Sequence, residues 1–316
     1  MADPMDALNQ MTRALIHNIK RAGFPPLHSL PAEQARRSYR MGVGASEVPR
    51  AVLPRVEDFT LPGSDGHAIP ARLWAPRTEA GLPVLLYVHG GGFVVGGIDT
   101  CEAMCRSVAA QSGAAVVAID YRLAPEHKYP TSLDDTWQAL QWLAREGHTR
   151  GLDGSRLAVG GDSAGGTLSA VVALMARDSG LALKLQALFY PSVQLGTATE
   201  SFKRFASAGL LLDEELMAWF ESQASGGAMA EDWHRQPLHA PSHVGVAPAW
   251  IGLAECDPLA DEGRQYAERL RQAGVPTDLT VWPGTVHDFI NMGRFLPEAA
   301  EAHAALAAAV KRALFD

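Results

Sequence analysis

Hydrophobic and polar positions change their spacing at about residue 52. Before that point Met11, Leu15, Ile16 and Ile19 recur at helical intervals, and residues 32–40 read as a second helix beyond the breaks at Pro25, Pro26 and Pro31. After it, residues 55–59 and 69–74 read as two strands joined through Gly63-Ser64-Asp65-Gly66, a hairpin-like turn. Short continuous apolar runs then alternate with amphipathic stretches. Residues 84–88, 115–119, 156–159 and 185–189 are the strands, and 100–112, 133–145 and 165–177 the helices between them. Such strands carry no polar face, so the pattern predicts a mostly parallel sheet covered on both sides by helices.

Residues 196–233 break this rhythm with a helix over 213–223, then Ser225-Gly226-Gly227 and the aromatics Trp219, Phe220 and Trp233. The alternation resumes with a strand over 249–253, a helix over 261–273, a strand over 278–282 and an Ala-rich helix over 297–314. The expected organisation is therefore an α/β core over 49–195 and 234–316. Residues 1–48 and 196–233 are expected to form two pieces of a helical cap.

Composition narrows the class. Hydrophobic residues make up 47% of the 316 and charged residues 20%, which suits one large globular α/β domain. Lys plus Arg is 27 against 35 for Asp plus Glu, a formal charge of −8, so nucleic acid and anionic membrane surfaces are poor partners. The short basic pairs Lys20-Arg21 and Arg36-Arg37 read as solvated helix faces. Three cysteines, Cys101, Cys105 and Cys256, do not make a disulfide framework. Cys101 and Cys105 share a helix face without further ligands beside them, and read as small buried apolar residues. No apolar run is long enough to span a membrane, and residues 1–30 carry no secretory apolar region, so a cytoplasmic location is the default expectation.

Candidate chemistry begins at Gly161-Asp162-Ser163-Ala164-Gly165. This is a G-x-S-x-G motif between a strand and a helix, where a sharp turn exposes a nucleophilic serine. The run His89-Gly90-Gly91-Gly92-Phe93 follows an earlier strand. Its glycines free backbone N–H groups for an anion, and it lacks the Lys-Ser/Thr ending of a phosphate loop. Oxyanion donors are therefore expected at Gly91, Gly92 and Ala164. His89 reads as a structural support for this loop.

Serine needs a base, and the base an orienting acid. Where a G-x-S-x-G serine sits on an α/β sheet, acid and then base follow it in the chain. Asp257 lies just after the 249–253 strand and His287 after the 278–282 strand, at the carboxyl ends of strands where such sheets bind ligands. Asp261 and Glu262 are runners-up for the acid, better suited to the start of the next helix. His234, His239 and His243 read as solvated or structural.

Five segments now stand in order: His89-Gly90-Gly91-Gly92, Tyr121-Arg122-Leu123-Ala124-Pro125-Glu126, Gly161-Asp162-Ser163-Ala164-Gly165-Gly166, Asp257-Pro258-Leu259 and His287-Asp288-Phe289. Together they resemble the hormone-sensitive-lipase-like family of α/β-hydrolase esterases, in the branch with aspartate before the serine. The resemblance implies a Ser163–His287–Asp257 triad, an oxyanion hole at Gly91, Gly92 and Ala164, and a cap built from the N-terminal segment and an insertion after the sixth strand. It implies hydrolysis of short- to medium-chain acyl esters through an acyl-enzyme. The expected partner is a small-molecule ester, with neither cofactor nor metal; self-association into a homodimer is left open. Tyr121 and Glu126 are read as braces beneath the site, and the cap aromatics as either pocket wall or cap core. Three alternatives remain at this point: an amidase or peptidase with the same triad, an interfacial lipase, and a small-molecule receptor like the plant gibberellin receptors. The receptors lack the catalytic histidine, which this chain retains as His287.

Overall fold

A computed structural model describes residues 3–196, 199–226 and 232–316; the remaining parts of the predicted 1–48 and 196–233 segments lie outside the described residues. Eight strands form one sheet in the order β1-β2-β4-β3-β5-β6-β7-β8. They are β1 (Arg55–Pro62), β2 (Ala68–Ala75), β3 (Leu82–Val88), β4 (Ala115–Ile119), β5 (Leu152–Asp162), β6 (Leu185–Phe189), β7 (Ala249–Cys256) and β8 (Thr277–Val286). β1 and β2 pair antiparallel, as do β2 and β4, and the rest of the sheet is parallel. This is the α/β-hydrolase architecture. Strands β3, β4 and β6 are buried along their whole length, as their apolar sequences favour, with one polar exception in β6, Gln186, whose amide donates to Ala247 O at 2.9 Å. Helices α3 (Ile98–Ser112), α4 (Thr131–Glu146), α5 (Ala164–Ser179), α8 (Ala260–Gln272) and α9 (Pro297–Phe315) pack on the sheet. Among the described residues, no helix is long and apolar enough to cross a membrane.

The order of the strands positions the site. From β3 the chain crosses to β4 on one side, whereas β5 and its successors build outward on the other. The turns leaving β3 and β5 therefore diverge across a crevice at the carboxyl edge, the place where open α/β sheets bind ligands.

β5 and β8 run furthest beyond the apolar runs that announce them. β5 starts at Leu152 and pairs Leu152 and Asp153 with Leu82 and Pro83 before a shift in register. β8 continues through Pro283 to Val286 because it is an edge strand, where a missing N–H removes no ladder bond. A six-residue helix, α6 (Glu200–Phe205), has too few residues to show a period; its start is marked by Thr199, whose hydroxyl accepts the Phe202 N–H at 3.2 Å.

The N-terminal segment carries α1 (Gln10–Ala22) and α2 (Ala32–Ser46), and the chain between β6 and β7 carries α6 and α7 (Glu214–Ala224). These pieces pack on each other. Leu8 and Ile16 meet Phe205 and Leu210, while Ala35 joins Val94, Val95, Ala124 and Ala224. In that second cluster the N-terminal helix, the loop after β3 and α7 share one apolar patch.

Arg36 corrects the reading of both basic pairs as solvated. Arg37 does face water, paired with Glu33 one turn away. Arg36 instead turns inward. Its Nε donates to Val94 O at 2.8 Å and its Nη2 to Ala124 O at 2.7 Å, and it pairs with Glu126 at 2.5 Å. Adjacent helical residues point about 100° apart, so only one of the pair can share the outer face. The loops after β3 and β4 supply carbonyls that a planar guanidinium can satisfy together.

Candidate active site

Each predicted triad residue is the first residue after a strand. Ser163 follows β5, Asp257 follows β7 and His287 follows β8. Ser163 has φ 52° and ψ −121°, a region that side chains rarely enter and that costs on the order of 1–3 kcal/mol. The turn is held from both sides. The Ser163 N–H donates to Phe189 O on β6 at 2.9 Å, and the Ser163 carbonyl accepts the Thr167 N–H at 2.9 Å as α5 begins. Gly165 allows the strand and helix to approach: a Cβ there would lie 2.0 Å from Val88 O.

The three side chains meet. His287 Nδ1 lies 2.6 Å from Asp257 Oδ2, and His287 Nε2 lies 3.0 Å from Ser163 Oγ. A carboxylate only accepts, so Nδ1 carries the proton and Nε2 is left to accept from the serine hydroxyl. Asp257 is fully buried, and its second oxygen accepts the Leu259 N–H at 2.9 Å. Burial alone would lower the His287 pKa. The Asp257 carboxylate, with help from Asp288 and Asp162, outweighs it and raises the value above that of an ordinary histidine. The runners-up are occupied elsewhere. Asp261 accepts from Ser201 N at 2.8 Å and pairs with Arg264, and Glu262 accepts from Val193 N at 2.8 Å.

The glycine loop faces the elbow. Gly91 and Gly92 have φ of 106° and 58°. The Phe220 ring of α7 lies so close to Gly92 that a Cβ would come within 2.2 Å of it. Among the described residues, no hydrogen bond takes the N–H of Gly91, Gly92 or Ala164. Ala164 opens α5, where an N–H has no acceptor within the helix and the helix dipole favours an anion. The geometry leaves all three donors available.

Asp162 ties the two turns together. Its Oδ1 accepts from Tyr87 Oη at 2.8 Å and from Gly90 N at 3.1 Å. Burial pushes its pKa up to about 6, against the pull of those hydrogen bonds. His89 supports the loop: its Nδ1 donates to Gly90 O at 2.7 Å and its ring stacks on Tyr121 at 4.3 Å. Tyr121 Oη donates to His89 O at 2.9 Å. Of the other histidines, His243 is buried against Pro237 O, His234 pairs with Asp232, and His239 is exposed.

Three residues beside the triad, one of them inside a quoted motif, have surroundings that the motifs do not state. Tyr190 packs its ring 4.5 Å from that of His287. Asp288 sits in the left-handed region, φ 67°, and accepts from Asn291 Nδ2 at 2.6 Å and from Tyr39 Oη of α2 at 3.2 Å. Burial, and then the nearby Asp162, push the Asp288 pKa up to about 6. Nothing local in the sequence pairs Tyr39 with a residue 249 positions away.

Comparison with known proteins agrees with this fold. The family profile described as "alpha/beta hydrolase fold" matches residues 85–291. The chain is 39% identical over 287 residues to ethyl acetate hydrolase of Pseudomonas putida, covering 87% of this chain and 88% of that protein. It is 42% identical over 276 residues to carboxylesterase NlhH of Mycobacterium tuberculosis, covering 85% and 86%. Among solved structures, a variant of LAE6, an α/β hydrolase from the metagenome of Lake Arreo, superposes with a TM-score of 0.93 at 36% identity, covering 97% of this chain and 98% of that one. With its fold, its five motifs and these relatives in agreement, the chain belongs to the hormone-sensitive-lipase-like family of α/β hydrolases.

Proposed function

We propose that this chain is a carboxylesterase that cleaves short- to medium-chain acyl esters through an acyl-enzyme on Ser163. The observation that carries the proposal is the continuous line from Asp257 Oδ2 through His287 to Ser163 Oγ, with spacings of 2.6 and 3.0 Å. The relatives named as an ethyl acetate hydrolase and a carboxylesterase support the ester as substrate.

Ser163 Oγ attacks the ester carbonyl carbon while its proton passes to His287 Nε2. Asp257 holds the resulting imidazolium. The carbonyl oxygen becomes an oxyanion and takes hydrogen bonds from the N–H groups of Gly91, Gly92 and Ala164. The C–O bond to the alcohol breaks, and His287 returns the proton to the departing oxygen. Water then attacks the acyl-enzyme, with His287 again as base, releasing the acid and restoring the serine. Every proton is accounted for within three side chains, so a chelator is expected to leave the rate unchanged. The cap pieces at 1–48 and 196–233 would roof the crevice and limit acyl length.

Ser163→Ala should lower kcat by several orders of magnitude with the fold intact. A serine-reactive phosphonate should label Ser163 in the wild type. Labelling elsewhere with full activity in the alanine variant would remove the assignment. An in-place His287 disfavours the receptor alternative, since a receptor has no use for an aligned base.

A further inference from the structure

A cavity of about 50 Å³ lies beside the elbow, between α5 and α7. Phe93, directly after the glycine loop, and Thr167, one turn beyond Ser163, form its near wall. His287, Asp288 and Tyr39 are not among its walls. The base must face the departing alcohol, so a chamber flanked by the glycine loop and α5 but not by the base lies on the acyl side.

The cavity has a charged residue in its lining. Arg235 lines it with a side chain only 9% exposed. Its guanidinium carries five N–H donors. One Nη2 hydrogen goes to Glu221, and among the described residues no other acceptor takes the rest. Its cationic face lies over the Tyr129 ring, 5.7 Å from the centroid. Two carboxylates stand near it: Glu221, held through Oε1 by Arg235, and Asp232, held by Tyr129 Oη at 2.5 Å and His234 Nδ1 at 2.7 Å.

These groups define what would satisfy the pocket. A carboxylate on the ligand would meet Glu221 and Asp232 as like charges. The groups Arg235 leaves unmet are all donors, and a hydroxyl would add one more donor to them. A neutral carbonyl oxygen needs only donors, which Arg235 has to spare. Leaving those donors dry beside a purely apolar chain would cost binding free energy.

We propose that this cavity receives the acyl chain and selects oxoacyl groups, with Arg235 donating to a carbonyl oxygen on the chain beyond the ester. The proposal rests on the ester-hydrolase reading above and names its substrate class. Arg235 is then a specificity-determining residue that takes no part in the proton transfers.

The test uses two pairs of 4-nitrophenyl esters matched in shape, 4-oxopentanoate with 4-methylpentanoate and 5-oxohexanoate with 5-methylhexanoate. The wild type should prefer the oxo ester in at least one pair by about tenfold in kcat/KM, the size expected of one hydrogen bond from a charged donor. In Arg235→Met that ratio should fall to one or below, and in Arg235→Lys it should fall only partly. The ratio is read within each variant, so a general loss of activity does not imitate the effect. If Arg235→Met does not fold, the wild-type and lysine ratios still decide. A wild-type ratio at or below one in both pairs, or a ratio unchanged in Arg235→Met, overturns the pocket proposal and leaves the esterase reading standing. Failure to hydrolyse any of the four esters overturns that reading, and the pocket proposal with it.

Discussion

Ser163 occupies a backbone conformation that an L-residue adopts at a cost, and the neighbouring β6 and α5 hold it there. The acid is distinguished by contact. Asp257 touches His287, whereas Asp261 holds Ser201 and Arg264. Asp257→Asn should therefore lower kcat on the order of 10⁴-fold by disturbing the tautomer, if the serine-protease case transfers. Asp261→Asn should cost far less, and the opposite ranking in steady-state kinetics would reassign the acid. A histidine base works only when neutral. Because its carboxylate neighbours raise the His287 pKa, kcat/KM should rise with pH through a midpoint above the ordinary value of about 6.5. Asp257, Asp162, Asp288 and the Tyr190 ring all face this imidazole. Asp288→Asn removes one negative charge, which stabilises the imidazolium less, so the midpoint should move to lower pH. A midpoint that stays in place across the pH–rate profile would leave Asp288 a packing role alone.

Helix α2 connects the N-terminal segment to both halves of the site. Tyr39 reaches the loop of the base, and Arg36 reaches the carbonyls of Val94 and Ala124. Removing the Tyr39 hydroxyl deprives Asp288 of a donor to its charged form. Tyr39→Phe should thus shift the same midpoint in the same direction as Asp288→Asn, by less. Arg36→Ala leaves two carbonyls and Glu126 without their partner, and should cost about 2 kcal/mol in urea unfolding. Arg37→Ala, one residue along on the wet face, should stay within about 0.5 kcal/mol. Equal costs would mean that the inward arginine contributes no more than a surface charge.

Across the chain as a unit, the strand order brings four turns to one edge: the glycine loop after β3, the elbow after β5, and the turns carrying Asp257 after β7 and His287 after β8. Packing of α2 and α7 against the loop after β3 places helices beside that edge. Each methylene that fits the proposed acyl chamber should contribute about 0.8 kcal/mol, so kcat/KM should climb with chain length until the pocket ends. An optimum between acetate and octanoate is expected across a series of chromogenic esters, with palmitate poor. A rate that keeps climbing to palmitate and jumps above the substrate's micellar threshold would identify an interfacial lipase and refute a cap that limits the chain.

Local chemistry was enough for much of this. Burial on both faces disfavours polar positions in a strand, so the apolar runs at β3 and β4, and at β6 apart from Gln186, announce a covered parallel sheet. A strand–turn–helix needs glycines where backbones touch, so Ser163 and its loop are legible in a few residues. Asp257 and His287 are legible because each follows a strand at the edge where ligands bind. Other features have no local signature. Whether Arg36 or Arg37 faces inward depends on which carbonyls lie across a gap of some 58 to 88 residues of chain. The bond from Tyr39 to Asp288, the Phe220 ring over Gly92 and the spare donors of Arg235 beside Thr167 all depend on where separate elements pack. Secondary structure and turn chemistry are contests among neighbours along the chain, decided by sterics and burial that the sequence states directly. The surroundings of a buried charge are assembled from distant segments, and only packing in three dimensions brings them together.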